Sequence, residues 1–258
     1  MLSNAVAEAA RRFGDRPALT TQAGWSLTYS QLDRFADEAA TGLARRGIGV
    51  GDVVALVLPS GCAYAVAYVA LARLGAITVG VNPVLAPAER GVACDVVGPK
   101  LVVTTDDLSA GLAAEHTEVV ATATSADRVL VSLRADADGF QAVDDPDRDV
   151  AIVLTSGTTG RPKGAVFKGR HHAAITRYDL GDRAEAWGGG GPMLAGTQFA
   201  HVGFMTKFAW YVRTGAELFL VDRWRASDVL DIVEATRMSV IGGVAPQVAL
   251  MLRDECFD

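Results

Sequence analysis

The sequence lacks any apolar stretch that approaches the length of a membrane span. A helix that crosses a bilayer needs about 20 predominantly apolar residues. The longest candidate, Cys62 to Leu74, is interrupted by Arg73 and is predicted to be a buried helix. The N-terminus also lacks a basic start followed by an apolar core, so no signal peptide is predicted.

Cysteine and excess positive charge are both scarce. The 258 residues contain three cysteines, Cys62, Cys94 and Cys256, which are scattered and odd in number. They predict no disulfide framework and no metal site, and they favour a reducing cytoplasm. Adjacent His171 and His172 point in different directions and have no further ligand at metal-binding spacing. The net charge of −6 argues against a nucleic-acid surface but not against a local nucleotide site.

Apolar strands that alternate with helical segments are the main pattern along the chain. Strands are predicted at 53–58, 76–81, 101–105, 129–133, 150–154, 217–221 and 238–242, and helices at 2–13, 62–74, 86–97, 108–116 and 206–213. Ser30 and Ser227 are predicted N-caps of two further helices. The alternation predicts an α/β fold with parallel, doubly wound sheets in layered subdomains. An acidic segment, 136–149, suggests a division into parts 1–147 and 148–258.

One stretch joins a predicted strand to a loop that is rich in glycine and hydroxyl residues and carries a lysine. Gly157 and Gly160 allow successive N–H groups to form an anion-binding concavity, and Lys163 adds a mobile positive charge. The loop differs from G-x-x-x-x-G-K-[ST], because Pro162 precedes the lysine. A polar turn between two strands is the alternative interpretation. The predicted polyphosphate-binding residues are Thr155, Ser156, Gly157, Thr158, Thr159, Gly160 and Lys163.

The sequence TSGTTGRPKG at 155–164 resembles the phosphate loop of the adenylate-forming, or AMP-binding, enzymes of the acyl-CoA synthetase type. Other segments resemble further elements of that family, in the family's order: LTYSQL at 27–32, LGAITVGVNP at 74–83 and, more loosely, GGVAP at 242–246. Gly80 stands where the family usually has proline. The resemblance covers nearly all of the chain.

The resemblance implies ATP-dependent activation of a carboxylic acid to an acyl-adenylate, which a thiol such as CoA then converts to a thioester. It implies ATP, Mg²⁺ and CoA as cofactors and co-substrates, with Mg²⁺ arriving on ATP near Thr155. The segment 199–204 resembles the lining of the family's acyl pocket, which implies substrate contacts from His201, Val202, Gly203 and Phe204. Since no acidic residue lies between 193 and 210 to pair with an α-amino group, a fatty or aryl acid is expected. Phe204 is equally compatible with a core position.

Complete family members carry further elements downstream: a glycine-tyrosine-glycine-x-threonine-glutamate stretch, an aspartate for the ribose and a C-terminal domain with a catalytic lysine. None occurs in these 258 residues. The chain is therefore expected to be the N-terminal part of a longer enzyme, with no catalytic residue assigned and the C-terminal domain absent. A catalytically inactive nucleotide-binding module, or a ligase that loads a carrier protein, are the alternatives. Exposed strand edges and apolar helix faces lead us to expect self-association.

Overall fold

A computed structural model describes residues 1–137, 143, 145–155, 161–221, 224–238, 241–255 and 257. The α-helices are Leu2–Phe13 (α1), Tyr29–Arg45 (α2), Cys62–Leu74 (α3), Pro87–Val97 (α4), Gly169–Leu180 (α5), Val202–Met205 (α6), Phe208–Thr214 (α7), Ala226–Thr236 (α8) and Ala245–Met251 (α9). The strands are Pro17–Thr20 (β1), Ser26–Thr28 (β2), Val53–Val57 (β3), Ile77–Gly80 (β4), Leu101–Thr105 (β5), Thr117–Val120 (β6), Asp149–Thr155 (β7), Lys163–Lys168 (β8), Met193–Leu194 (β9) and Leu218–Phe219 (β10). Within the described ranges, no helix is long and apolar enough to cross a membrane.

The strands form two sheets. The large sheet has the order β6-β5-β3-β4-β7-β8, and the small sheet has the order β2-β1-β10-β9. Neighbouring strands are parallel except at two edges, where β8 runs antiparallel to β7 and β2 runs antiparallel to β1. The expected α/β fold with parallel sheets is confirmed, and the antiparallel edge strands come from two hairpins.

The large sheet is covered on both faces because the side chains of its strands alternate between two apolar cores. In β3, Val54 and Leu56 belong to the main core together with helices α1, α2 and α3. Ala55 and Val57 belong to a second core, in which Ala93 of α4 takes part. This alternation explains why β3 reads as a continuous apolar run rather than an alternating one.

An ion-pair network joins α2 to the apolar helix α3. The side chain of Arg73 on α3 is 3% exposed and pairs with Asp33 and Asp37 on α2. Its guanidinium also donates to the backbone oxygen of Asp33 at 2.7 Å. The arginine that interrupts the apolar run is therefore neutralised inside the α2–α3 contact.

Both sheets contain strands from either side of residues 147 and 148. In the small sheet β1 pairs with β10, and in the large sheet β4 pairs with β7. The division of the chain at this point stays a prediction, and the hydrogen-bonded sheets extend across it.

Both predicted helix caps were wrong. Thr28 caps α2: its hydroxyl accepts the N–H of Gln31 at 3.1 Å, and the Gln31 side chain accepts the N–H of Thr28 at 3.0 Å. Ser30 therefore lies inside the first turn, because β2 runs directly into α2. The N-cap of α8 is Arg225, so Ser227 also lies inside its helix.

Two predicted elements between β5 and β7 were also wrong. In place of a helix at 108–116, the chain forms short 3₁₀ turns at Asp106–Leu108 and Ala114–His116. Gly111 between them has a φ of 86°, outside the helical region. In place of a strand at 129–133 there are turns that bury Val129, Leu130 and Leu133, and the sheet takes β6 instead. The strand predicted at 238–242 lies partly outside the described residues.

Candidate active site

The carboxyl edge of the large sheet carries the candidate site. The chain places β4 on one side of β3 and then returns to add β5 on the other side. Ligands of open α/β sheets bind outside the carboxyl ends of the strands at such a reversal. Ser60 follows β3, Gly80 ends β4 and Thr155 ends β7, next to β4. Residues from three strands therefore meet at this edge.

The predicted phosphate loop lies in sequence between β7 and β8, which pair as antiparallel neighbours. Thr155 and Lys163 are partners in the strand register, and the Thr155 hydroxyl donates to the Lys163 backbone oxygen at 3.2 Å. Lys163 is exposed. The other predicted phosphate-binding residues, Ser156, Gly157, Thr158, Thr159 and Gly160, lie outside the described residues. The hairpin base thus places a hydroxyl and a lysine at the carboxyl edge.

Two anchors hold the segment 199–204 across the same edge. The Ser60 hydroxyl accepts the backbone N–H of Phe199 at 2.9 Å. At the end of β4, a Cβ on Gly80 would lie 2.7 Å from the Cα of Ala200, so the two backbones are in direct contact. Helix α6 also contacts β7. The segment predicted to line the acid pocket is therefore next to the strand that carries the phosphate loop.

The four predicted acid-pocket residues divide into a surface group and a buried one. His201 and Val202 are exposed, and Gly203 is partly exposed. Phe204 is 2% exposed and stacks on Phe199, with ring centroids 3.5 Å apart. In this structure Phe204 therefore packs in the core beneath the exposed residues His201 and Val202. The assignment of all four residues to an acid pocket stays a prediction.

Sequence reasoning missed two tyrosines on α3 that support this segment. The hydroxyl of Tyr68 donates to the backbone oxygen of Met205 at 2.6 Å, and burial raises the pKa of Tyr68. The Tyr64 ring packs edge-on against Phe199 and Phe204. Two tyrosines four residues apart on an otherwise apolar helix were the signal available in the sequence, since a buried tyrosine hydroxyl usually finds a partner, as that of Tyr68 does.

The loop 242–246, the looser motif match, lies beside the chain that leads into the segment 199–204. The Gln247 side chain donates to the backbone oxygen of Gly196 at 2.9 Å. The same side chain accepts the backbone N–H of Val244 at 2.9 Å. One glutamine thus joins the segment after β9 to the start of α9.

The two adjacent histidines have different surroundings. His171 accepts the backbone N–H of Lys168 at 3.1 Å and so caps α5. His172 is largely buried, and burial, with His171, the Met1 amino group and Arg148 adding to the effect, lowers its pKa to about 4. No group of three or more His, Cys, Asp or Glu residues in the described part of the chain is arranged to hold a metal ion.

Comparison with known sequences identifies similar proteins. The profile of the AMP-binding enzyme family matches residues 6–258. 4-Coumarate–CoA ligase 5 of Oryza sativa subsp. japonica is 30% identical over 264 residues, covering 95% of this chain and 47% of that protein. The long-chain-fatty-acid–CoA ligase FadD13 of Mycobacterium tuberculosis is 26% identical over 239 residues, covering 88% and 46%. The chain spans about half the length of these curated relatives.

Solved structures share the fold. The inhibitor-bound N-terminal domain of FACL13 from Mycobacterium tuberculosis superposes with a TM-score of 0.84 at 25% identity, covering 99% of this chain and 66% of that chain. The o-succinylbenzoate CoA synthetase of Bacillus subtilis, in complex with its acyl-adenylate intermediate, gives a TM-score of 0.79 at 22% identity. That superposition covers 97% of this chain and 64% of the synthetase.

Proposed function

This chain belongs to the AMP-binding enzyme family, and from that premise we propose that it supplies the triphosphate-holding half of an acid–CoA ligase site. In the proposed reaction a carboxylate oxygen attacks the α-phosphorus of ATP. The bond to the β-phosphate breaks, which gives an acyl-adenylate and pyrophosphate. A CoA thiol then loses its proton and attacks the acyl carbon, and AMP leaves with the bonding electron pair.

The observation that carries the proposal is the shared edge of the large sheet. There the hairpin base at Thr155 and Lys163 lies beside the strand whose end holds the segment 199–204. Reactions at phosphorus depend mainly on positioning and on neutralisation of charge. Lys163 would neutralise the β- and γ-phosphates, and the hydroxyl of Thr155 would orient them. The acid would lie over His201, Val202 and Gly203.

The residues of this site are compatible with Mg²⁺ that is bound to the phosphates of ATP. Mg²⁺ prefers oxygen ligands and commonly binds through substrate phosphates and water with one or two protein groups. Thr155 offers one hydroxyl oxygen at the hairpin base. In the proposed site, the metal would arrive bound to the phosphates, and the Thr155 hydroxyl is the described group that could hold it. The bound ion would reduce the negative charge of the triphosphate.

The proposed substrate is a fatty or aryl acid without an amino group. Residues 194–209 contain no acidic side chain that could pair with an ammonium group. The names of the similar proteins include both classes, 4-coumarate and long-chain fatty acids. These two observations support the class of acid.

A reducing, cytoplasmic setting is part of the proposal. Cys62 and Cys94 are both buried free thiols. Burial raises the pKa of the Cys62 thiol to about 12 and that of Cys94 to about 11. Both thiols stay protonated and unreactive at neutral pH, as expected of structural cysteines.

Calorimetric titration with MgATP tests the role of the loop. We expect binding by the unmodified chain and a loss of at least tenfold in affinity for Lys163→Gln. The control is Lys100→Gln. Lys100 lies just before β5, at the amino ends of the parallel strands and so away from the carboxyl edge, and it pairs with Asp52. Equal affinity of the Lys163→Gln and unmodified chains would contradict the proposal.

Acid-dependent pyrophosphate exchange separates a working ligase from an inactive module. We expect this chain alone to show no exchange above background, because the downstream family elements are not among its residues. A full-length protein that carries this segment together with the downstream family elements should exchange, and Lys163→Gln should reduce the rate. Robust exchange by the 258-residue chain would show that the site is already sufficient, and no exchange by the full-length protein would reject the ligase assignment.

A further inference from the structure

A cavity lies at the amino end of β7, away from the candidate active site. It has a volume of about 770 Å³ and is bounded by α1, α5 and α7. Val150 lines it near the start of β7, whereas Thr155 ends the same strand at the phosphate loop. Five residues of β-strand separate the two by about 17 Å. The cavity and the hairpin base are thus at opposite ends of one strand.

One face of α5 forms a wall of this cavity. Its lining residues are Gly169, His172, Ala173, Thr176 and Arg177. They recur at intervals of three and four, the spacing of a single helix face. Gly169 is buried, whereas Ala173 and Arg177 are exposed at the surface end of this face. This face of α5 therefore lines the buried part of the cavity at Gly169 and its solvent-accessible part at Ala173 and Arg177.

The charged groups in the lining have a positive balance. Four arginines, Arg11, Arg148, Arg177 and Arg213, line the cavity together with two glutamates, Glu8 and Glu185. Glu8 is already held by Arg11 and by Arg12 from outside the lining, at 2.5 and 2.6 Å. Glu185 lies 3.4 Å from Arg213. An anion inside the cavity would meet more guanidinium than carboxylate.

Nε2 of His172 and Nε of Arg213 are buried polar atoms of lining residues, and neither has a hydrogen-bond partner among the described residues. A buried polar atom without a partner destabilises the folded chain, because it has lost its hydrogen bonds to water. A ligand oxygen that accepted hydrogen bonds from such groups would remove that cost.

Most of the uncharged lining residues are apolar. Ala5, Ala72 and Ala209 leave the volume open, and Tyr68 and Trp187 contribute aromatic rings. The Trp187 ring already has the guanidiniums of Arg12 and Arg213 within 5.0 and 4.6 Å of its centroid. Volumes of roughly 300–1,000 Å³ with a mainly apolar lining and a few polar groups are typical of small-molecule sites.

We propose that this cavity binds a small amphipathic organic anion, with its apolar body against the alanines and aromatic rings. Its anionic group lies against Arg177, Arg213 and His172. The site is separate from the ligase reaction, and its occupant is not the acid that is adenylated.

The probe for a first test is 1-naphthalenesulfonate, an aromatic anion that cannot form an acyl-adenylate, titrated into the chain by calorimetry. We expect one site, and at least fivefold weaker binding by Arg177→Gln. The matched control is Arg183→Gln, an exposed arginine close in sequence that does not line the cavity. Neutral 1-naphthol should bind at least tenfold more weakly than the sulfonate.

A steric pair of variants places the site. Ala173→Phe fills the cavity wall and should abolish binding, whereas Ala174→Phe, the next and also exposed residue of α5, should leave affinity within twofold. Near-ultraviolet circular dichroism checks that both variants remain folded. Lys163→Gln should not change binding of the sulfonate, which separates this site from the phosphate loop. No binding by the unmodified chain, or equal binding by Ala173→Phe and Ala174→Phe, would overturn the proposal.

Discussion

Gly80 is a residue at which a side chain has no room. A Cβ there would lie 2.7 Å from the Cα and the oxygen of Ala200, and 2.8 Å from the sulfur of Met205. Two of these three atoms are backbone, so the neighbouring chain would have to move. Because Gly80 has no side chain at the end of β4, the segment 199–204 can lie directly on the sheet.

Replacement of Gly80 by alanine should therefore destabilise the protein. We expect Gly80→Ala to lower the free energy of unfolding by about 1–3 kcal/mol, the usual cost of overpacking. Urea denaturation measures the change. Gly49→Ala is the control, since a Cβ at Gly49 meets nothing within 4 Å, and it should change stability by less than about 0.5 kcal/mol.

His172 should make stability depend on pH. Its pKa is lowered from 6.5 to about 4 in the folded chain, so the unfolded chain binds more protons between these values. Its contribution is complete above pH 6.5 and is lost as the pH falls toward 4, by at most about 3 kcal/mol. Urea denaturation of the wild type and of His172→Gln at several pH values isolates this contribution. Equal pH profiles would show that His172 does not titrate as its burial implies.

At the scale of elements, the contact between α2 and α3 depends on Arg73. Burial raises the pKa of Asp37, while the nearby guanidinium lowers it. Removal of one member of a buried ion pair leaves the others without compensation, at a cost of about 3–5 kcal/mol. Because both aspartates are about one quarter exposed, we expect Arg73→Met to cost about 2–3 kcal/mol.

The combination of Arg73→Met with Asp33→Asn and Asp37→Asn is the control for this prediction. It removes all three charges at once, so no uncompensated carboxylate remains. Thermal denaturation should show that the triple variant is more stable than Arg73→Met alone. A triple variant that is less stable than the single one would mean that packing of the arginine stem, rather than charge, holds α3 on α2.

Elements with a strong local pattern could be predicted from the sequence, and those fixed by distant contacts could not. Helix α3 and the strands β3, β4 and β5 have long apolar runs, and all were predicted. The apolar run at 129–133 was mistaken for a strand because burial on α2 and pairing in a sheet both select apolar residues. There the Ala135 N–H donates to the Glu38 oxygen of α2 at 3.0 Å, a contact that no local pattern reveals.

The candidate site shows the same limit. The motif at 155–164 predicted a phosphate loop, the resemblance predicted an acid pocket at 199–204, and both assignments stay predictions. The residues that hold that segment, Ser60 and Tyr68, act through backbone atoms more than 130 positions away. Such contacts depend on how the strands are ordered in the sheet, and the sequence alone does not specify that order.

At the scale of the whole molecule, the C-terminal helix presents apolar side chains to solvent. Val244, Val248, Leu250 and Leu252 are each between 43% and 58% exposed. Contiguous exposed apolar side chains favour association. We expect this chain to self-associate in a concentration-dependent manner in sedimentation velocity.

Val248→Gln combined with Leu252→Gln should shift that equilibrium toward monomer. The two positions are four residues apart and so share one side of the chain at α9. Val84→Gln is the control, because Val84 is 75% exposed but lies far along the chain from this cluster. A monodisperse monomer of the unmodified chain would contradict the prediction.

The small sheet makes the order of synthesis matter. Leu19 of β1 pairs with Leu218 of β10, and Arg16 donates to the oxygen of Gly215, 199 positions later. A ribosome that adds 5–20 residues per second needs roughly ten to forty seconds to cover that distance. During this interval β1 and β2 can pair with each other and pack on α2, but a two-stranded sheet is only marginally stable in water. Strand β1 of the nascent chain therefore lacks its neighbouring strand until β10 has been translated.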